Sequence, residues 1–421
     1  MDSNFFIDRD AVERVVAAAG TPVYVYDEKT LLRQVSSALA FPHAFGLTAR
    51  YAMKACPNAA ILQLFAKAGM HIDASSGYEV ARAIRAGIEP SRISLSTQEL
   101  PADFADWVRR GISINACSLK QLDDFGRAFP GGAIGLRLNP GLGSGGTTKT
   151  NTGGPASSFG IWHELLGQAD EIIARHGLEV FRIHSHIGSG SDPDVWVRVA
   201  SMTLSYVEKY ASATRCNLGG GYKVARMPHE KGTDLQVVGT PVKKLFEQFA
   251  SRTGRRIHLE IEPGTFMVAN GGAIVTTIQD VTETGAAGYR FLKLDTGMTE
   301  LLRPALYGSQ HPMRVVPVSG AGDRGEREYI ATGHCCESGD MLTPKNGDHE
   351  TLEPRRLTEA RVGDRLVIGG AGAYAAAMSA TNYNSFPQAP EVLLRTDGSV
   401  VVIRRRQSLD QVLQNEVPLP V

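Results

Sequence analysis

From Val23 to Gly264 the chain repeats one cadence: an amphipathic stretch, a glycine, then a short apolar run. In PNAAILQLFAKAG, Ile61, Leu62, Leu64 and Phe65 fall on one helical face, and Gly69 can take the left-handed conformation that ends a helix. The strand-like run HIDAS begins at once. The pattern recurs at VARAIRAG before RISLS, FADWVRRG before ISINA, EIIARHG before LEVFRIHSH, and FEQFASRTG before RRIHLEIEPG. Such alternation predicts parallel strands joined by helices. The runs VYVYD, RYAMK, HIDAS, RISLS, SINAC, IGLRLNP, VFRIHSH, CNLGGG and HLEIEPG supply eight strands with one to spare. A (β/α)8 barrel over residues 22–271 is the economical reading, with a doubly wound open sheet as runner-up.

After about residue 272 the texture changes. GAIVTTIQDVTET, RFLKLD, MRVVPVS, REYIATG and RLVIGG are strand-like and lack helical stretches between them. EVLLRT and SVVVIRRR flank Asp397-Gly398, a strong hairpin signal. Residues 272–421 therefore read as a second, mostly antiparallel β domain. Pro140 to Ser158, rich in Gly, Thr, Ser and Asn, reads as a long loop of the kind that tends to be functional or mobile.

Length agrees with two domains, since 421 residues exceed what one core usually organises. Lys plus Arg and Asp plus Glu both number 44, so no global field draws the chain to nucleic acid or anionic membrane. A small or zwitterionic partner is expected instead. The N-terminal MDSNFFIDRD has no basic segment before an apolar run, and no stretch of about eighteen apolar residues appears; a cytoplasmic location is expected. Five scattered cysteines, Cys56, Cys117, Cys216, Cys335 and Cys336, do not describe a disulfide framework, and no Cys/His spacing implies a metal.

Active residues of a barrel sit at the C-terminal ends of its strands. There the sequence places Lys54, Asp73, His186, the run Gly219-Gly220-Gly221, Glu262 and Gly264. Lys54 alone reads as a snorkelling residue at the barrel mouth, His186 as a satisfied core histidine, and the glycine run as a turn. Together they answer the needs of a pyridoxal phosphate site: a lysine for an imine, close backbone approach to phosphate, a flat group against the ring, and a partner for the pyridine nitrogen. Ser189 can add a hydroxyl. Glu262 is the most informative, because a carboxylate facing the pyridine nitrogen favours its protonated form and makes the ring a strong electron sink, as loss of carbon dioxide requires.

The motifs YAMKACPN, IDASSGYEVARA, HSHIGSG, NLGGG, IEPG, LRPALYGSQHP, CCESGD and GAYAAAMSATNYNS, in that order from about Thr21 to Leu394, resemble the alanine-racemase-like pyridoxal decarboxylases, most closely the diaminopimelate decarboxylases. The resemblance implies pyridoxal 5'-phosphate as cofactor, a β domain that includes residues 1–21, and a head-to-tail homodimer whose sites are completed by the partner's CCESGD segment. By motif, Lys54 is the Schiff-base lysine, Asp73 its neighbour, His186 the stacking group and Glu262 the pyridinium partner. Ser189, Gly220, Gly221, Gly264 and Tyr374 hold the cofactor's phosphate end. Arg303, Tyr307, Glu337 and Tyr374 hold the substrate, and Cys336 returns a proton to the α carbon; Cys335 is left as structural. The bland alternatives for Cys336 and Arg303 are a small buried filler and a rim ion pair.

Three positions depart from the resembled pattern: Thr265 stands where arginine usually follows EPG, Ser158 where lysine precedes FGI, and Phe386 where arginine follows YNS. Threonine cannot imitate a guanidinium's bidentate fork, so these departures bear on distal substrate recognition. HIGSGSDP also resembles ornithine decarboxylases, whereas CESGD and RPALYGSQHP resemble the diaminopimelate enzymes. The competing expectations are action on ornithine, a D-amino acid or a carrier-bound or siderophore intermediate, a non-catalytic pyridoxal-binding protein, and a sugar-phosphate barrel enzyme.

Overall fold

The computed structural model describes residues 5–143, 152–186, 188, 190, 192–318 and 324–419. They group into two compact units: Met1–Leu31 with Ala225–Glu230 and Val268–Val421, and Leu32–Val224 with Lys231–Met267.

The second of these units is a closed parallel barrel. Its strands, numbered here in chain order, are β1 (Leu47–Ala52), β2 (His71–Ala74), β3 (Ile93–Ser96), β4 (Ser113–Ala116), β5 (Ala133–Asn139), β6 (Glu179–Ser185), β7 (Arg215–Asn217) and β8 (His258–Ile261). Each pairs in parallel with the next, and Leu259 of β8 pairs with Leu47 of β1 to close the ring. That closing pair rules out the open sheet. The helices between strands carry their own start and stop signals. Asn58 accepts a hydrogen bond from the Ala60 amide to open Ala59–Lys67, whose Ile61, Leu62 and Phe65 are buried, and Gly69 follows with φ of 105°. At Gly77–Arg85 the Ser76 hydroxyl accepts from the Glu79 amide while Glu79 Oε2 accepts from the Ser75 amide.

The barrel interior is charged at its centre. Glu260 of β8, wholly buried, meets Arg50 of β1 at 3.2 Å, Arg182 of β6 at 2.7 Å and Arg215 of β7 at 2.9 Å. Arg182 also donates to Ser94 and Asn115, each at 3.1 Å. Gly135 is obligatory beside this network, because a Cβ there would lie 2.0 Å from Asn115 Oδ1.

The other unit is built on a nine-stranded, mostly antiparallel sheet. Gly272–Glu283 pairs with Arg290–Leu294 and with Arg365–Ile368, and the hairpin Glu391–Leu394 with Val400–Arg404 turns at Gly398, φ 81°. The helix Arg9–Ala19 lays Ala11, Val12 and Val15 against Val23, Val25, Ala273, Val275, Val367 and Val392. Here the barrel span 22–271 needs correction. The run VYVYD, Val23–Asp27, is no barrel strand: it pairs antiparallel with Gly272–Val275 and parallel with Glu391–Leu394. Its first four residues are buried, and a continuously apolar strand does not reveal by its pattern which sheet will take it. The segment 225–230 also groups with the sheet unit.

Candidate active site

Within the barrel unit, the expected residues converge at the C-terminal ends of the strands. Strand β1 ends at Ala52, two residues before Lys54, which sits exposed on the one-turn helix Met53–Ala55 rather than closing the strand as the sequence implies. The following Asn58 cap fixes where that turn gives way to helix. Asp73 lies in β2, His186 follows β6 and Glu262 follows β8.

Glu262 has a polar neighbour at each oxygen. Asn217 Nδ2 donates to Oε1 at 2.6 Å, and His184 Nε2 lies 3.2 Å from Oε2. Burial favours the neutral acid, yet His184 and the hydrogen bonds win and keep the carboxyl well below its usual range. Asp73 has the opposite outcome: burial, reinforced by the Glu262 charge and opposed by Lys54, raises its carboxyl well above the usual range. Its Oδ1 has no hydrogen-bond partner among the described residues. The surroundings alone thus push two neighbouring carboxyls in opposite directions, Glu262 down and Asp73 up. Burial first, then Arg137 and Lys54, push His186 well below the ordinary histidine range, so its imidazole is neutral. Its Nδ1 accepts from the Gly220 amide at 3.0 Å, which leaves the ring proton on Nε2.

The glycine run does more than the sequence implied. Gly219 has φ 68°, and a Cβ there would fall 2.4 Å from His186 Nδ1; at Gly220 it would fall 2.1 Å from the Glu262 carbonyl oxygen. The Gly219 amide donates to Asn217 Oδ1 at 2.8 Å, and that of Gly220 is committed to His186. Two of the three amides therefore brace Asn217 and His186, while Gly221 has φ of 107°. Ser189 lies outside the described residues, as do residues 144–151 of the expected loop. The described part of that loop is pinned at its base, where Asn139 Nδ2 donates to Gly154 O at 3.0 Å, and Thr152 donates to the His186 carbonyl at 3.1 Å. Ser158 accepts from Gln98 at 3.1 Å, and Thr265 opens the short helix Thr265–Val268. A lysine at the mouth, an ionised carboxylate, a neutral imidazole and a glycine-lined backbone form a donor set that fits pyridoxal phosphate. Among the described residues, no cluster of three or more His, Cys, Asp or Glu is placed to hold a metal ion.

Three contributors were missed by sequence reasoning: His184, Asn217 and the buried Arg137, whose charge acts on both Asp73 and His186. The alternation in FRIHSH could have exposed His184, since it shares a face with His186.

The sheet unit carries the remaining expected residues. Arg303 opens the helix Arg303–Tyr307, its guanidinium carbon 5.5 Å from the centre of the Tyr307 ring and its Nη2 donating to Ser309 Oγ at 3.3 Å. Its buried Nε has no partner among the described residues. Burial depresses the Arg303 and Arg226 guanidiniums, and each of the two acts on His311. Arg226, also missed, donates to Gly370 O at 3.0 Å. Tyr374 has φ 53°, an uncommon conformation for an aromatic residue. Cys336 and Glu337 are exposed, while burial and Asp340 push the Cys335 thiol up to about 12.

Comparison with known proteins supports pyridoxal phosphate as the cofactor. Residues 31–269 match the family described as pyridoxal-dependent decarboxylase, pyridoxal binding domain. The diaminopimelate decarboxylase of Escherichia coli strain K12 is 36% identical over 418 residues, 96% of each chain. That of Streptomyces coelicolor is 37% identical over 420 residues, 96% of this chain and 92% of its own. A crystal structure of diaminopimelate decarboxylase superposes with a TM-score of 0.90 at 35% identity, covering 98% of this chain and 99% of the other. The Helicobacter pylori diaminopimelate decarboxylase complexed with L-lysine superposes with a TM-score of 0.81 at 26% identity, covering 96% and 98%. The chain belongs to the pyridoxal-phosphate-dependent decarboxylases, in the diaminopimelate decarboxylase family.

Proposed function

We propose that this protein removes carbon dioxide from meso-2,6-diaminopimelate and releases L-lysine, using pyridoxal 5'-phosphate held by Lys54. The observation that carries the reading is the ionised Glu262, fixed by Asn217 and His184 at the strand ends. Pyridoxal phosphate, when bound, withdraws the electron pair that the departing carboxylate leaves on the α carbon. Glu262 strengthens that withdrawal by holding a proton on the pyridine nitrogen. Lys54 would hold the cofactor through its side-chain amine. Asp73, its carboxyl raised well above the usual range by burial and Glu262, weakens its own ion pairing with the Lys54 amine. His186 presents a neutral imidazole to the ring face. Ser189, Gly220, Gly221, Gly264 and Tyr374 are the residues that would hold the phosphate end, Gly220 through its brace on His186.

Arg303, Tyr307, Glu337 and Tyr374 take the substrate, with Arg303 reading the distal carboxylate and Glu337 the distal ammonium. The unpartnered Nε of Arg303 supports this reading, because a buried guanidinium without an anion is costly until a ligand supplies one. Cys336 gives the α carbon its proton, a task suited to a weakly acidic thiol. The working assembly is a head-to-tail homodimer in which each CCESGD segment completes the partner's site, and the place of work is the cytoplasm. No helix among the described residues is long and apolar enough to cross a membrane.

Carbon dioxide release is to be measured with meso-diaminopimelate, ornithine and lysine, for the wild type and Arg303→Lys. The wild type should prefer diaminopimelate, with lysine and carbon dioxide formed in equal amounts. Losing a charge-assisted bidentate contact costs about 1.5–3 kcal/mol, roughly ten- to a hundredfold in kcat/KM. Arg303→Lys should therefore penalise diaminopimelate far more than ornithine. Equal losses for both would remove Arg303 from distal recognition.

A further inference from the structure

Between Ala380 and Phe386 the sheet unit contains an unusual turn. Asn382, Asn384 and Ser385 have φ of 61°, 49° and 62°, conformations that side chains other than glycine rarely adopt. Three such residues in four positions persist only where the surroundings over-determine them. The anchoring is visible: Asn382 Nδ2 donates to Phe386 O at 2.9 Å and to Gln407 Oε1 at 2.7 Å, and the same Gln407 oxygen accepts from the Gln388 amide at 3.0 Å. Glycine would adopt the φ of Asn384 or Ser385 with less steric strain.

What the turn presents is a row of contacts to one segment. Asn384 Oδ1 accepts from the Cys336 amide at 2.8 Å. The Tyr383 hydroxyl lies 3.5 Å from Glu337 Oε2. The Phe386 ring stacks on His334 with centroids 3.6 Å apart and planes 3° from parallel. From the other side Asp340 accepts from the Cys335 amide at 2.9 Å and the Met298 amide at 2.6 Å. Gly297 and Gly333 make room for that carboxylate, since a Cβ on them would approach its oxygens to 2.3 and 2.1 Å. The backbone on either side of the exposed Cys336 is thus tied at consecutive amides, Cys335 to Asp340 and Cys336 to Asn384.

We propose that Asn384 is a positioning residue: its side-chain oxygen, delivered by a turn of left-handed residues, fixes the Cys336 backbone so that the thiol meets the reacting carbon at one angle. Phe386 and Tyr383 are the flanking supports of the same clamp. The proposal rests on the proton-donor role assigned to Cys336 above. A proton donor is effective only within a narrow range of distance and direction, so a loosened backbone lowers turnover more than it weakens substrate binding.

Two variants of the full-length holoenzyme separate positioning from backbone strain. Glycine accepts the φ of residue 384 without penalty, so Asn384→Gly should fold and bind cofactor normally while lacking the acceptor. Its Cys336 amide should exchange with deuterated solvent at least about tenfold faster, and its kcat should fall about fivefold with KM within about twofold. Asn384→Asp retains an acceptor oxygen and should restore both the exchange protection and most of the turnover. Unchanged exchange at Cys336 in Asn384→Gly overturns the clamp. So does faster exchange with full kcat while Cys336→Ala is impaired. If Cys336→Ala turns over like wild type, the proton-donor reading is the one that fails, and the Cys336 amide exchange then decides by itself whether the clamp exists.

Discussion

Glu262 occupies a place where burial by itself would favour a neutral carboxylic acid. His184 foremost, then His186 and the Asn217 hydrogen bond, pull it down against that burial, and the reactivity assigned to the barrel depends on the ionised state. Glu262→Gln preserves shape and removes the charge. Each 1.4 kcal/mol lost from stabilising the electron pair on the α carbon costs tenfold in rate, so turnover at saturating cofactor should fall by at least about tenfold. Steady-state kinetics on the loaded variant checks this, and a wild-type rate would remove the electron-sink role. Asp73 is the companion case, where burial and then a neighbouring charge of like sign raise a second carboxyl well above its usual range.

At the scale of elements, the barrel strands are joined by a buried ionic centre as well as by their ladders. Glu260 on β8 is the carboxylate facing Arg50, Arg182 and Arg215 on three other strands, and Arg182 is held down to about 10 chiefly by burial. Removing one member of a buried ion cluster strands the others without compensation, at a cost of about 3–5 kcal/mol. Glu260→Gln should lower the unfolding free energy of the protein by that order in denaturant titration, whereas Glu208→Gln, at an exposed pair with Arg252, should change it little. A loss at Glu260 no larger than at Glu208 would mean that the network is not structurally important. The alternation of amphipathic stretch, glycine and apolar run made the helices and strands of this barrel legible. It did not reveal that Val23–Asp27 joins the other sheet, because a strand buried on both faces has the same pattern in either. Lys54, Asp73, His186 and Glu262 were legible as polar residues at the ends of apolar runs. Asn217 and Arg137 were not, since each lies inside a run and acts through a contact made only when the ring of strands closes, and His184 was marked only by sharing a face with His186.

On the scale of the whole molecule, the residues assigned to the reaction divide between two units, Lys54 and Glu262 in one and Cys336 in the other. The proposed homodimer adds that CCESGD serves the partner's site. Inactive Lys54→Ala and inactive Cys336→Ala subunits, mixed under conditions of proven exchange, should then recover part of the activity, because some heterodimers contain one site with both residues intact. No recovery despite exchange would contradict the shared site. Every role proposed for the barrel is oriented around Lys54, and its modification is the most direct measurement. Purified protein loaded with pyridoxal phosphate should absorb near the visible edge, lose that band on borohydride reduction, and yield a peptide carrying the reduced cofactor on Lys54, with no such label in Lys54→Ala. Recovery of the cofactor on a different lysine, or no covalent label at all, would contradict the account.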